Sequence, residues 1–362
     1  MEIIMKRIVL TGGGTAGHVT PNIALLPALQ AAGYEIAYVG SYEGIEKKLI
    51  ADFNIPYTGI STGKFRRYLD PKNFSDPFRV MKGFVEARNY LKNYQPDVVF
   101  SKGGFVSVPV VRAAASLHIP CIIHESDMTP GLANKLCIPV AEKVCCNFPE
   151  TMKNIPADKA VLTGSPIRAE LAQGSKLAGL NMCGFTANKP VIMVIGGSLG
   201  AANVNKAVRD ALPKLLEDFQ VVHLCGKDKI DNLLLNTPGY KQFEYIKAEL
   251  KDIFAMADVV ISRAGANAIC ELLALKKPNI LIPLPAASSR GDQLLNAASF
   301  EAQGYSIVLN EDDITTNLLV AKVHELYFNR QNYVDAMSKS HQMDAVKTIM
   351  ELINAAAEKK TN

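Results

Sequence analysis

Short apolar runs separated by longer amphipathic stretches set the rhythm of this chain. Residues 6–10 (KRIVL), 35–39 (EIAYV), 97–100 (DVVF), 120–123 (PCII) and 143–146 (KVCC) each read as a strand buried on both faces. Helical patterns follow the first two, at 23–32 and 43–53. The second half repeats the rhythm. Strands are predicted at 191–195 (VIMVI), 220–224 (QVVHL), 258–261 (DVVI) and 279–282 (NILI), with helices at 201–219, 250–257 and 265–275. Such alternation predicts α/β folding: βαβ units with right-handed crossovers, building parallel sheets covered on both faces. The 362 residues suit two domains of about 150–200 residues. The polar, glycine-containing stretch 173–189, just ahead of Pro190, reads as the interdomain linker or its neighbourhood. A last helical pattern, at 343–359, is a candidate to pack back on the first domain.

The halves echo each other where a strand meets a helix. Residues 8–17 (IVLTGGGTAG) and 193–202 (MVIGGSLGAA) are each a strand, a glycine-rich turn and a helix start. Glycines let the backbone turn sharply and bring its N–H groups close to a ligand, and a helix N-terminus beyond them favours anions. Gly12, Gly14 and Gly17 satisfy G-x-G-x-x-G, yet no acid closes the second strand, where Val39-Gly40-Ser41 stand, and no G-K-[ST] follows. A dinucleotide fingerprint is therefore incomplete and a P-loop is excluded. Two such loops point to a diphosphate more firmly than either alone, and Ser198 adds a hydroxyl to the second. In 263–271 (RAGANAICE) the amides at a helix start suit phosphate or uracil edges. Glu271, two turns in, is either a ribose ligand or a solvated helix residue. Asp292 and Gln293 open a further helix, as sugar ligands or as first-turn residues. His124-Glu125-Ser126-Asp127 follow a strand, and with His18 they offer candidates for a general base; a lone histidine after a strand is more often structural.

Composition narrows the class. A net charge of +4 argues against general nucleic-acid binding. The seven cysteines are odd in number and hold no C-x-x-C pair, so they read as buried thiols of a reducing compartment, and no zinc-ligand spacing occurs. No run reaches the roughly 18–20 apolar residues of a membrane span. Residues 1–10 are too short for a signal peptide, and Met5 is an alternative start. The expectation is a soluble, cytoplasmic protein. Charge is nonetheless concentrated. Residues 64–92 hold eight basic residues (Lys64, Arg66, Arg67, Lys72, Arg79, Lys82, Arg88, Lys92) against three acidic ones, a surplus of five that exceeds the whole chain's +4. Phe78, Met81, Phe84 and Val85 are interleaved at helical spacing, which suits either a core face or an anionic membrane surface.

Taken together, GGGTAGHVTP, QPDVVFSKGGFVSVP, HESDMTPGLANK, LTGSPIR, IGGSLGA, ADVVISRAGANAICE and DQLLNA occur in an order that closely resembles the MurG family of peptidoglycan glycosyltransferases, in glycosyltransferase family 28. The resemblance runs nearly end to end. It implies the GT-B fold: two Rossmann-like domains with parallel sheets facing a deep cleft, an acceptor domain at 1–167 joined by a C-terminal helix at about 341–362, and a donor domain at 168–340. It implies an inverting transfer of N-acetylglucosamine from UDP-GlcNAc to the C4 hydroxyl of the muramoyl-pentapeptide of lipid I, giving lipid II. By resemblance Ser198 and the amides of Ala266, Asn267 and Ala268 meet the diphosphate, Ile246 the uracil, Glu271 the ribose and Gln293 the sugar. Arg168 approaches the nucleotide, and Thr15, Ala16 and Gly17 close over sugar and diphosphate. His18, Asp127 and Glu125 are the candidates for catalysis. Two positions depart from the family: Ala16 replaces a common glycine, tolerable if its φ is negative, and Asp127 stands where many relatives carry Asn. No cofactor is implied, and the lack of a D-x-D at a strand end implies no obligatory metal. With a lipid-linked acceptor, the 64–92 segment becomes the membrane-facing one, placing the protein on the cytoplasmic face of the membrane. A UDP-GlcNAc 2-epimerase, or a non-catalytic nucleotide-sugar-binding partner, would share the architecture but not this segment and these motifs.

Overall fold

Strands whose side chains alternate between two apolar surfaces need cover on both, and the computed structural model shows how this chain provides it. It describes residues 6–63, 72–197, 200–286, 291–340, 342 and 344–361, without the side chains of 72–77, 360 and 361. The chain divides into two units, Met1–Arg168 with Asp344–Asn362, and Ala169–Met343.

The first unit is built on seven parallel strands: β1 (Arg7–Thr11), β2 (Glu35–Ser41), β3 (Tyr57–Ile60), β4 (Val98–Ser101), β5 (Cys121–Glu125), β6 (Lys143–Cys146) and β7 (Ala160–Leu162), in the order β3-β2-β1-β4-β5-β6-β7. Val9, Val39, Val99 and Ile123 point to one face, against Ala87 and Leu91 of the helix Lys72–Tyr94 and Val110 and Ala114 of the helix Ser107–Ser116. Ile8, Leu10, Tyr38 and Phe100 point to the other. There they meet Leu25 and Leu29 of the helix Thr20–Ala31, and Ile349 and Ile353 of the helix Ala345–Thr361. The C-terminal helix thus completes the first sheet's core.

The second unit carries six parallel strands: β8 (Val191–Ile195), β9 (Gln220–Leu224), β10 (Tyr240–Phe243), β11 (Val259–Ser262), β12 (Asn279–Leu281) and β13 (Ser306–Val308), in the order β10-β9-β8-β11-β12-β13. Ile192, Val194, Val221, Ile261 and Ile280 pack on Val204, Val208 and Leu212 of the helix Ala202–Asp218 and on Leu319, Val323 and Leu326 of the helix Thr316–Phe328. In both sheets the winding reverses at one place, between β1 and β4 and between β8 and β11. Ligands of doubly wound sheets bind beyond the strand ends at that place.

The apolar rhythm locates the central strands to within a residue or two. Four strands escape it: β3, β7, β10 and β13, each of three or four residues, and each at an end of its sheet. An outer strand needs less apolar cover, so YTGI or YKQF carries little pattern. The stretch 173–189, expected as the interdomain linker or its neighbourhood, lies just beyond the division after Arg168 and is itself structured. It contains the helix Lys176–Cys183, capped by Ser175, with Leu180 and Cys183 buried; Gly179 is needed there because a Cβ would come within 2.4 Å of the Asp252 carbonyl oxygen. No described helix is long and apolar enough to cross a membrane.

Candidate active site

In the first unit, the loops leaving β1 and β4 touch backbone to backbone. Gly14 (φ 87°) and Gly104 (φ 85°) make this possible: a Cβ on Gly14 would lie 2.5 Å from the Phe105 ring, and one on Gly104 would lie 2.2 Å from the Gly13 carbonyl oxygen. Beneath the first loop sits the fully buried carboxylate of Glu46, which accepts from the Gly14 amide (3.1 Å), the Ser41 amide (3.0 Å) and the Ser41 hydroxyl. The second strand lacks the terminal acid of a dinucleotide site; the acid arrives five residues later, from the helix Ile45–Ile50, and holds the loop rather than a ribose. Nothing in GIEKKLI marks this residue beforehand. Thr15 and Ala16 are exposed and Gly17 half-buried, and Ala16 has negative φ, so its methyl introduces no strain.

His18 ends the loop in a single 3-10 turn. Its ring packs over Gly104, and its Nδ1 is buried with no partner among the described residues. Burial foremost, then the Lys102 ammonium, pushes its pKa down to about 4, against a hydrogen bond to the Lys102 backbone. His18 is therefore neutral at physiological pH. His124, at the end of β5, is fully buried with Nε2 2.9 Å from the Gly164 carbonyl oxygen; burial holds its pKa well below 6.5. It ties β5 to the β7 exit.

Glu125, a candidate for catalysis, braces its own loop. One of its carboxylate oxygens accepts from the Asp127 amide (2.9 Å); the other accepts from the Gly131 amide (3.0 Å) and Asn134 Nδ2 (2.8 Å). Asp127 is half-buried, and its backbone is pinned at both ends, by Glu125 and by the Thr151 hydroxyl (3.0 Å). Arg168 is half-buried, its Nε unpartnered among the described residues.

In the second unit, Gly196 and Gly197 leave β8; Ser198 lies outside the described residues. Gly200 (φ 68°) passes so close to the β9 exit that a Cβ would be 2.1 Å from the Cys225 carbonyl oxygen. The helix Ala202–Asp218 then starts without a side-chain cap. The same is true of the helix Ala266–Ala274 after β11, where Ala266, Asn267 and Ala268 are half-buried. First-turn amides lack intrahelical acceptors, so both starts suit an anion. The β11 loop is held by Arg263, which sequence reading passed over. Its guanidinium donates to the Ile282 (3.0 Å) and Pro283 (3.3 Å) carbonyls and pairs with Glu311, both side chains being nearly buried. Asn296 Nδ2 donates to the Ala264 carbonyl (3.1 Å). Gln293 Oε1 accepts from the Leu284 amide (3.1 Å), which orients the side chain. Glu271 is half-buried in the second turn of its helix, and Ile246 is buried in the turn after β10.

Within the described part of the helix Lys72–Tyr94, the two readings of the basic segment separate. Phe84, Ala87 and Leu91 belong to the core. Phe78, Met81 and Val85 remain 79%, 63% and 52% exposed, beside exposed Arg79, Lys82, Arg88 and Lys92. Residues 64–71, with Lys64, Arg66 and Arg67, lie outside the described residues, as does the Lys72 side chain. Among the described residues no group of three or more His, Cys, Asp or Glu side chains is placed to hold a metal ion.

Two doubly wound units with anion-suited loops at their reversal points define a GT-B nucleotide-sugar enzyme. The chain belongs to glycosyltransferase family 28, matching its N-terminal domain over residues 8–146 and its C-terminal domain over residues 191–353. It is 65% identical over 349 residues (96% of this chain, 99% of the relative) to the UDP-N-acetylglucosamine--N-acetylmuramyl-(pentapeptide) pyrophosphoryl-undecaprenol N-acetylglucosamine transferase of Lachnospira eligens. The transferase of the same name from Clostridium botulinum strain Hall is 58% identical over equal coverage. Among solved structures, MurG of Acinetobacter baumannii aligns with a TM-score of 0.76 at 29% identity, covering 97% of this chain and 99% of that one. The UDP-GlcNAc 2-epimerase of Neisseria meningitidis aligns at 0.67 with 14% identity, over 96% and 99%, which is a likeness of fold alone.

Proposed function

We propose that this chain transfers N-acetylglucosamine from UDP-GlcNAc to the C4 hydroxyl of the muramoyl sugar of lipid I, with inversion, giving lipid II. The observation that carries this is 65% identity across nearly the whole chain to a transferase of that description. The acceptor oxygen attacks the anomeric carbon as the bond from that carbon to the diphosphate breaks, and UDP leaves. His18 Nδ1 takes the hydroxyl proton; its neutrality and open lone pair support the role. Asp127 orients the acceptor. The uncapped amides of Ala266–Ala268 and of Ala202, with Ser198, meet the charge on the departing diphosphate, as preorganised donors do. Thr15, Ala16 and Gly17 cover the acceptor side. Glu271 holds the ribose, Ile246 the uracil, Gln293 the transferred sugar, and Arg168 the nucleotide.

The acceptor's lipid requires a membrane. The exposed Phe78, Met81 and Val85, flanked by cations, form the face that rests on an anionic cytoplasmic leaflet.

Purified protein is expected to release UDP from UDP-GlcNAc only when a lipid I analogue is present. Equal release without acceptor, or conversion of the donor to its 2-epimer, overturns the transferase reading. His18→Ala is expected to lower turnover far more than donor affinity; a collapse of donor binding instead removes His18 as the base.

A further inference from the structure

Lys102 is fully buried just past β4, and the transfer chemistry above leaves it unused. Its amide donates to the Thr11 carbonyl (2.9 Å), tying it to the β1 exit. Gly12 gives it room, since a Cβ there would lie 3.2 Å from Lys102 Cβ. Its Nζ donates to Ser126 Oγ, in the loop that carries Asp127. Burying an ammonium costs several kcal/mol, and an apolar side chain of similar length would fill the space without that cost.

One group on which the cation acts is His18. The His18 ring lies over Gly104, two residues beyond Lys102, and makes a hydrogen bond to the Lys102 backbone that favours a ring N–H. Nδ1 has no partner among the described residues, so the bonded nitrogen is Nε2, donating to the Lys102 carbonyl. Two titratable groups couple to this ring, Lys102 from the β4 loop and His124 from β5. Glu46, from the helix Ile45–Ile50, has its carboxylate occupied by Ser41 and the Gly14 amide.

We propose that Lys102 is the positioning residue of His18: its carbonyl takes the ring's one N–H and leaves Nδ1 as the accepting atom, while its buried ammonium adds to burial in disfavouring a charge on the ring. This deepens the reading of His18 as the base and rests on it. A ring so held is always in its accepting form at neutral pH, at some cost in basicity.

The test is a ¹⁵N-histidine NMR titration of the full chain, wild type against Lys102→Met and Lys102→Gln, with Lys153→Met as an exposed control. The pH profile of kcat/KM toward a lipid I analogue is followed in parallel. In wild type the neutral His18 ring shows the Nε2–H tautomer. In both Lys102 variants its titration and the acid limb of the profile move up by about one pH unit, as loss of a nearby like charge dictates; the control moves neither. A wild-type Nδ1–H tautomer, or an unmoved His18 titration in folded Lys102→Met, overturns the proposal. So does loss of the fold in both variants, which makes Lys102 a core strut. If the titration moves and the acid limb does not, Lys102's action on His18 stands and the base assignment alone falls.

Discussion

Replacing Phe78, Met81 and Val85 together by serine removes the apolar part of the membrane face while touching little else. Full burial of such side chains is worth about 1.5–3 kcal/mol each. With 79%, 63% and 52% of their surfaces still exposed, about 4 kcal/mol of that remains to be gained. A helix resting at headgroup depth realises about half, roughly 2 kcal/mol, or about thirty-fold in partitioning. The cations act separately. Glu86, the acid of this stretch, is turned to the Ser61 amide (2.6 Å), leaving Arg79, Arg88 and Lys92 to meet anionic lipid at about 1 kcal/mol each. Sedimentation with anionic and with neutral vesicles, at low and high salt, separates the two contributions. The serine variant is expected to lose about thirty-fold on anionic vesicles at either salt, whereas Arg79→Glu with Arg88→Glu loses affinity mainly at low salt. Thermal stability should hold in both variants, because these side chains are largely exposed. Unchanged partitioning of a folded serine variant refutes the assignment of this face.

Acid should destabilise the fold in a defined window. Burial lowers the pKa of His18 to about 4 and of His223 to about 3, from 6.5 unfolded. The unfolded chain then binds protons that the folded chain refuses, so stability is full above pH 6.5 and is lost as pH falls toward these values, by a few kcal/mol at most for each group. Urea midpoints equal at pH 7.5 and 5 would contradict this. Gly104→Ala places a Cβ 2.2 Å from the Gly13 carbonyl oxygen at positive φ, so a stability loss of about 2 kcal/mol or more and weaker transfer are expected, read by urea midpoint and turnover. Arg263→Met leaves Glu311 buried without its partner, a cost of about 3–5 kcal/mol. Adding Glu311→Leu should recover much of it in thermal melts, and no recovery would mean that the pair is not what holds the loop.

What the sequence discloses, and what it withholds, follows from how each feature is encoded. Central strands such as RIVL and VIMVI are apolar on both faces because helices cover both, and that is visible as a run. Outer strands such as AVL and SIV are too short and too lightly covered to stand out. Glycine loops announce themselves, because tight backbone approaches exclude other residues, as Gly104 against Gly13 and Gly200 against Cys225 demonstrate. The polar groups that brace those loops do not. Glu46 sits in a charged stretch that reads as solvated helix, yet it is fully buried. Arg263 and Glu311 are 48 residues apart, and nothing local in either links them. Glu125 shows the converse: a carboxylate beside histidine suggests catalysis, and only three-dimensional placement shows that its oxygens also hold its own loop.

The two reversal points share a topology and differ in chemistry, and the difference matches a division of labour. At the first, the ends of β1, β4 and β5 carry His18, Lys102, His124 and Asp127, the groups to which the proposal gives the proton chemistry. Burial holds the two histidines neutral, so proton traffic starts from a defined state. At the second, helix starts supply uncapped amides, and the flanking charges of Arg263 and Glu311 are spent on each other. Amide dipoles fixed in this way stabilise a departing diphosphate without titrating across physiological pH. If this division is right, the pH dependence of transfer belongs to the first unit. Donor affinity should then be nearly flat from pH 4 to 8, while turnover is level near neutrality and falls toward the acid end with the titration of His18 near 4. A donor affinity that tracks the turnover profile would place a titrating group among the second unit's ligands and break the division.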